Sequence, residues 1–324
     1  MFPKTQGNQA SVMNGKEISF IIPALNEEAH INGVLNSIKK NVAGRFIYEV
    51  IVIDNGSRDR TVEIAQEKGA TCLHAPGCTI SSLRNLGASE ARSEILVFLD
   101  ADVYLTKDWG ERVAWSMEKL HSHPHIITGS FCGISEENNW IERVWFAPRT
   151  NRNEEINYMN SGHLVIHRGL FSRVGGFDPE LETGEDYDFC SRARMMGAQI
   201  ENDPELKVVH VGYPKSIKRF FSRERWHARG DYKSLKALTS SKPAIVSLAN
   251  LCMAVISITG MIICSQPWFT FPCAYVFFIA GVSVAASIHR YRGKLDSGVW
   301  GVVFLYVVYF TARTVSMVDV AIDR

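Results

Sequence analysis

The sequence predicts an α/β protein: a mostly parallel sheet with flanking helices, followed by C-terminal transmembrane helices. Three observations predict it. Short β-rich runs alternate with helix-period patterns through positions 17–130. Three strand ends run into segments rich in carboxylates. From Pro243 to Ile288, 46 consecutive residues include no Asp, Glu, Lys, Arg or His.

Taken in order, Met1 to Glu17 has no apolar stretch of the kind a cleaved signal needs, and residues 1–16 read as a loose tail. Ile18–Ile22 (ISFII) is apolar but for Ser19, the pattern of a strand buried on both faces. Ile31, Val34, Leu35 and Ile38 then recur at helical spacing, and Val50–Ile53 is the next strand. Val62 and Ala65 continue a short helical pattern, and Ile95–Leu99 (ILVFL) is a third buried strand. The predicted organisation is a catalytic segment over 17–214, a basic amphipathic interfacial segment over 215–242, and a membrane region with about three helices over 243–324.

The charge distribution supports that division. Of the 69 charged residues, 61 lie before position 243 and 8 after it, so a mean hydropathy of −0.04 describes neither part. A net charge of +1 provides no global basic field for nucleic acid, and none is expected as a partner. The seven cysteines include no C-x-x-C pair, which favours a reducing compartment over a disulfide or zinc framework.

A helix needs about 20 apolar residues to cross the hydrocarbon core. The uncharged run holds two such lengths, Ala244–Cys264 and Trp268–Ile288, with Gln266-Pro267 as a break. A third candidate, Val299–Val318, is interrupted by Arg313, which is expected to snorkel or to face a partner such as Asp319; a span is favoured there over an interfacial helix by the density of Val, Phe, Leu and Tyr before Arg313. Basic residues precede the first span and return in His289–Lys294. Both flanks therefore belong on the cytoplasmic face of an inner, or cytoplasmic, membrane, and the catalytic segment with them. Ser216–Leu238 mixes Lys and Arg with Ile217, Phe220, Phe221, Trp226 and Leu235, as suits a helix lying on membrane lipids.

Ligands of such sheets bind beyond the carboxyl ends of the strands. There the sequence places Pro23-Ala24-Leu25-Asn26-Glu27-Glu28, then Asp54-Asn55-Gly56-Ser57, then Asp100-Ala101-Asp102. Aspartates after a buried strand destabilise the fold unless they bind something. Two carboxylates one residue apart suit a hard divalent cation, Mg²⁺ or Mn²⁺, with a diphosphate as its other partner. No G-x-G-x-x-G and no G-x-x-x-x-G-K-[ST] is present, which disfavours dinucleotide and P-loop sites. Taken singly, Asp54 also suits a helix cap, Asp186 an early-turn acid and Arg84 a surface charge. His121, His123 and His125 read as a polar loop, and Trp140, Trp145 and Phe146 as packing residues.

The series FIIPALNEE (20–28), VIDNGSRDRT (52–61), LRNLGASEA (83–91), FLDAD (98–102) and GGFDPELETGEDYDF (175–189) resembles family-2 glycosyltransferases in order and spacing, over roughly 17–240. The resemblance implies a GT-A nucleotide-diphospho-sugar transferase fold and transfer of a sugar with inversion. By matching positions, it implies that Pro23, Asn26 and Glu27 edge the nucleotide pocket, that Asp54 reads the base, and that Arg84 lies near the nucleotide. It implies that Asp100 and Asp102 bind the metal and diphosphate, with Asp102 the more direct ligand, and that His210 helps hold them. Asp186, beside Glu185, matches the catalytic base. Arg225 and Trp226 match the end of a Q-x-x-R-W segment of processive synthases, with Ser222 in place of Gln. They either touch the diphosphate or acceptor or anchor to lipid.

The function expected is transfer from a nucleotide-diphospho-sugar donor to a hydroxyl of a lipid-linked or polysaccharide acceptor, within cell-surface glycan biosynthesis. A polyprenyl-phosphate acceptor is the alternative, and is disfavoured because an ionised phosphate needs no base. A non-catalytic scaffold among other polysaccharide-synthesis proteins is the second alternative, and intact D-x-D and E-D segments count against it.

Overall fold

The computed structural model describes residues 17–147, 156–263, 269–291 and 298–322. The tail at 1–16, the Gln266-Pro267 break and Arg292 to Lys294 lie outside the described residues.

The chain forms two compact units. The first holds the described residues up to Ser135, those up to Leu181 that follow 155, and Glu185–Gly212. Its strands are β1 (Glu17–Ala24), β2 (Ile47–Asp54), β3 (Thr71–His74), β4 (Ile95–Leu99), β5 (Val103–Leu105), β6 (Ile126–Gly129), β7 (Gly133–Ile134), β8 (His163–His167), β9 (Gln199–Asn202) and β10 (Val208–His210). Its helices are α1 (Ile31–Val42), α2 (Thr61–Glu67), α3 (Ile80–Glu90), α4 (Trp109–Ser122), α5 (Arg168–Val174) and α6 (Glu185–Met195).

Seven strands make one sheet in the order β3-β2-β1-β4-β8-β6-β9. The β3-β2-β1-β4 half is parallel, β8 is antiparallel to both its neighbours, and β6 and β9 are parallel. β1 is an interior strand, and seven consecutive residues from Ile18 to Ala24 are buried, as a strand covered on both faces requires. One face packs Phe20, Val97 and Ile22 under α1 and Trp109 of α4. The other packs Phe98 with Phe171, Phe177 and Phe189, at centroid separations of 5.0 Å for the Phe98–Phe171 pair and 5.2 Å for Phe98–Phe177. β5, β10 and β7 form a separate small sheet.

The second unit contains α7 (Ile217–His227), a 3₁₀ turn (Arg229–Tyr232), α8 (Leu235–Ser240), α9 (Lys242–Ile263), α10 (Thr270–Tyr291) and α11 (Val299–Ile322). The last three are long and apolar enough to cross a membrane, with mean hydropathies of 2.1, 1.9 and 1.6. This unit also takes in three pieces that sequence reading assigned to the catalytic segment, residues 136–147, Glu182–Gly184 and residues 213–214. Aromatic surface explains the first. Trp145, on a π-helical turn (Glu142–Phe146), is buried against Phe220, Tyr306 and Tyr309. Its neighbour Phe146 stacks on Tyr213 at 3.9 Å.

Arg313 faces a different partner from the one expected. Its guanidinium pairs with Asp231 in the 3₁₀ turn, whereas Asp319 is held by Arg225 through two bonds of 2.5 and 2.8 Å. The sequence spacing of Arg313 and Asp319 suggested a local pair, but the packing of α7 and the 3₁₀ turn on α11 supplies nearer charges.

Candidate active site

Parallel pairing places three chain reversals side by side. Ala24 at the end of β1 aligns with Asp54 at the end of β2, and β4 lies on the other side of β1. The segment after β1 and Asp100 after β4 therefore emerge at the same edge of the sheet. β8 enters from that edge, antiparallel to β4, with Leu99 opposite His163. Gly162 O accepts the Asp100 backbone N–H at 3.2 Å.

The loop after β1 is tied to the loop after β2. Asn26 is the only non-glycine residue with positive φ (55°) among the described residues, a conformation its side chain supports by accepting from Arg58 N. Its own N–H donates to Ser57 Oγ, and Glu27 N donates to Thr61 Oγ1 at 2.7 Å. Pro23 completes the end of β1 opposite Ile53.

Asp54 is buried at the end of β2. It accepts from Gly56 N at 3.0 Å and Ser57 N at 3.1 Å, and lies 3.0 Å from His74 Nδ1. Burial alone raises its pKa, but the bonds from Ser57, Gly56 and His74 outweigh that and hold it below its ordinary value. Asp54 therefore shapes the turn at 55–57 and does not cap α2, which starts at Thr61. Sequence reasoning missed His74, whose signal is its place opposite Asp54 in the β2–β3 register.

Asp100, Asp102 and His210 converge. Their ligand atoms all lie within 4.8 Å of one another, with His210 Nε2 3.7 Å from Asp102 Oδ2. Antiparallel pairing of β10 with β5 sets His210 opposite Val103, one residue from Asp102. Two carboxylates and an imidazole fit a small divalent cation by donor type and spacing. Burial, followed by Asp100, raises the Asp102 pKa against the opposing pull of His210. Burial also pushes Glu27 up to about 7, helped by Asp102, Asp100 and Asp59. Of the three histidines expected in a polar loop, His121 lies in the last turn of α4 and only His123 and His125 are in the loop; none joins a metal-type cluster among the described residues.

Arg84, on α3, is 3% exposed, so it is not the surface charge its type suggests. Its two terminal nitrogens donate to Asp100 Oδ1 and Glu185 Oε1, each at 2.7 Å. Ser161 Oγ donates to the same Glu185 oxygen at 2.9 Å. Arg84 thus joins the D-x-D segment to the first turn of α6. Asp186 follows Glu185 there, and burial, then the Glu185 charge, push it up to about 7. Gly184 precedes the helix with φ 77°, a conformation that favours glycine.

Three further residues escaped sequence reasoning. Ser161 holds Glu185, and Gly162 and Gly212 press against the aspartates. A Cβ on Gly162 would lie 2.7 Å from Asp100 Oδ2, and one on Gly212 would collide with the Asp102 carboxylate. No local pattern marks them, because their partners are distant in sequence. Arg225 and Trp226 lie on α7 in the second unit. Arg225 is the partner of Asp319, and Trp226 is exposed beside His227.

The glycosyl transferase family 2 model matches residues 19–176, which include every segment from the β1 end to Gly176. Glycosyltransferase AglE of Haloferax volcanii is 34% identical over 208 residues, 61% of this chain and 67% of that protein. The chain belongs to glycosyltransferase family 2. It is therefore a glycosyltransferase with a GT-A fold. Another family-2 relative, the pre-mycofactocin glycosyltransferase of Mycobacterium tuberculosis, is 25% identical over 216 residues. Those are 60% of this chain and 43% of that protein, so the chain spans less than half the relative's length. Among solved structures, the mannosyltransferase PcManGT from Pyrobaculum calidifontis, in complex with GDP-Man and Mn²⁺, shares the fold. The TM-score is 0.59 at 18% identity, covering 93% of this chain and 86% of that one.

Proposed function

We propose that this family-2 enzyme is an inverting, divalent-metal-dependent transferase acting on a hydroxyl of a lipid-linked or glycan acceptor, in cell-surface glycan synthesis. Residues 17–214 carry the chemistry on the cytoplasmic side of the membrane, 215–242 lie on membrane lipids, and 243–324 anchor the chain.

The observation that carries this reading is the chain of contacts Asp102–Asp100–Arg84–Glu185, which ends beside Asp186. The residues proposed as metal-diphosphate ligands and base are then parts of one polar network around the buried Arg84 guanidinium. A divalent cation on Asp100, Asp102 and His210 would neutralise charge developing on the leaving diphosphate. Asp54, Asn26 and Glu27 shape the neighbouring edge, where the nucleoside would lie, with Pro23 closing β1. Asp186 accepts the acceptor hydroxyl proton as that oxygen attacks the sugar C1 from the face opposite the leaving group. A carboxylate with a pKa of about 7 is matched to that task, since it is both partly ionised and basic enough near neutral pH.

The test is transfer from a panel of nucleotide-sugars into native lipid extract, with and without Mn²⁺, by wild type and Asp186→Asn. Product anomeric configuration opposite to the donor's, and loss of transfer in the variant with donor binding retained, support the reading. Transfer by Asp186→Asn at the wild-type rate would show that the acceptor needs no base, as a polyprenyl phosphate does not.

A further inference from the structure

Length and composition make α11 a candidate third span, but its contacts place it elsewhere. α9 and α10 form a hairpin. At its turn end, a side chain at Gly260 would meet the Phe271 ring, so the two helices touch closely there. From Gly260 back to Lys242 is about 27 Å of helix, and from Phe271 on to Tyr291 about 30 Å. Lys242 and Tyr291 therefore lie at the same level, on the membrane face from which the chain enters α9.

Both halves of α11 are tied to that face. Toward its start, Gly301 faces Trp140 and Val144, and Tyr306 and Tyr309 pack on Trp145 at 4.8 and 5.5 Å. The carbonyls of Val144 and Trp145 in turn accept from Tyr291 Oη (3.1 Å) and from Arg290, the last two residues of α10. Toward its end, Arg313 pairs with Asp231 and Asp319 with Arg225, both of which precede α9. Thr314 Oγ1 accepts from Asn250, in the first half of α9, at 2.9 Å. Met317 and Val320 pack in the cluster of Tyr232 and Ala244.

α7 runs alongside the same stretch. Phe220 meets Trp145 at 5.1 Å, next to Tyr306 and Tyr309, while Arg225 reaches Asp319. With Lys218, Arg219, Arg223 and Arg225 on it, α7 does not lie in hydrocarbon. A span of 24 residues would put its ends about 36 Å apart along the membrane normal. These contacts hold both ends near one level.

We propose that α11 is a membrane-surface helix, lying across the polar ends of the α9–α10 hairpin and beneath α7, and that the chain crosses the bilayer twice. Val302, Leu305 and Phe310 of α11 are buried against protein, while Trp300, Phe304 and Ile322 stay exposed to face lipid, so the helix reads as a span from composition. Arg313 then sits at the headgroup layer in an ion pair instead of in the hydrocarbon. Arg290 stacks on Trp145 at 4.5 Å, and Arg223 on Phe146 at 4.9 Å. With the aromatics they form the amphipathic belt that a phosphate-rich interface favours.

The number of crossings decides where the C-terminus lies. Epitope tags are placed before Met1, after Arg324, and between Ile263 and Phe269 of the full chain, and sealed vesicles are treated with protease. Two crossings predict that the terminal tags share one fate, both removed or both protected, while the inter-helix tag has the opposite fate. Opposite fates for the two terminal tags would establish three crossings and overturn the proposal. An inter-helix tag that shares the fate of the N-terminal tag would show that the hairpin does not span, and would overturn it too. The tags alter no residue of the catalytic segment, so retained glycosyl transfer confirms the fold in each case. Neither result bears on Asp186 as the base.

Discussion

Arg84 and Glu185, 101 positions apart in sequence, form a buried 2.7 Å ion pair that fixes the first turn of α6 against the D-x-D segment. A second nitrogen of the same guanidinium holds Asp100. A buried charge of this kind persists only while every partner remains, because an unmatched member keeps its desolvation penalty.

Arg84→Met leaves Glu185 buried without its cation. The expected loss is about 3–5 kcal/mol of stability, read as a lowered Tm or denaturation midpoint. Arg84→Lys keeps the charge but lacks the fork that reaches two carboxylates. It should fold, bind donor, and lose kcat. A Lys variant with wild-type kcat would mean that the link between Asp100 and Glu185 does not matter to the reaction.

Asp186 gives opposite pH signatures in rate and in stability. As a base with its pKa near 7, it makes kcat/KM rise with pH through about 7. Asp186→Asn lowers kcat by roughly 10²–10⁴-fold and removes that limb of the profile. Its folded pKa lies above the ordinary 3.8, so the folded state binds the proton more tightly. That stabilisation is complete at low pH and is lost as pH rises toward about 7. At pH 8 the Asn variant should therefore melt above wild type, and near pH 4 the two should converge. Parallel melting curves at both pH values would contradict the raised pKa.

Gly212→Ala drives a methyl group into the Asp102 carboxylate. Mn²⁺ affinity in the presence of nucleotide should fall by roughly 10–100-fold, as measured by titration calorimetry. Far-ultraviolet circular dichroism should be unchanged, since the sheet core lies elsewhere. Unaltered Mn²⁺ binding would remove Asp102 from the ligand set.

Arg225 is bound to Asp319 by two hydrogen bonds, and its side chain is 44% exposed. Arg225→Ala and Asp319→Ala should each lower stability by up to ~1 kcal/mol. The double variant should lose less than the sum, because both single changes remove one interaction. Additive losses would show that each residue has another principal partner.

Much of the catalytic unit was legible in the sequence. A short, nearly continuous apolar run such as Ile95–Leu99 has few structural solutions, and the residues following each strand of a parallel sheet share one edge by geometry. β1 itself extends to Glu17 and Ala24, beyond Ile18–Ile22, because hydrogen-bond pairing with β2 continues where hydrophobicity does not. β3 is half-exposed and has no such run, so Thr71–His74 went unread, and His74 with it.

By itself, the sequence determined the family, the α/β architecture, the edge on which Asp54, Asp100 and Asp102 gather, and the apolar character of the C-terminal helices. The family follows from the resemblance of its motif series, and the rest from periodicity and local order, which are properties of neighbouring residues. Only the tertiary structure decided that Arg84 joins two carboxylates, that Ser161 holds Glu185, and that Gly162 and Gly212 leave room for the aspartates. It also decided that Arg313 answers Asp231 and not Asp319. Each is a pairing between distant segments, and which charges meet depends on how buried surfaces pack, information that no stretch of sequence carries alone.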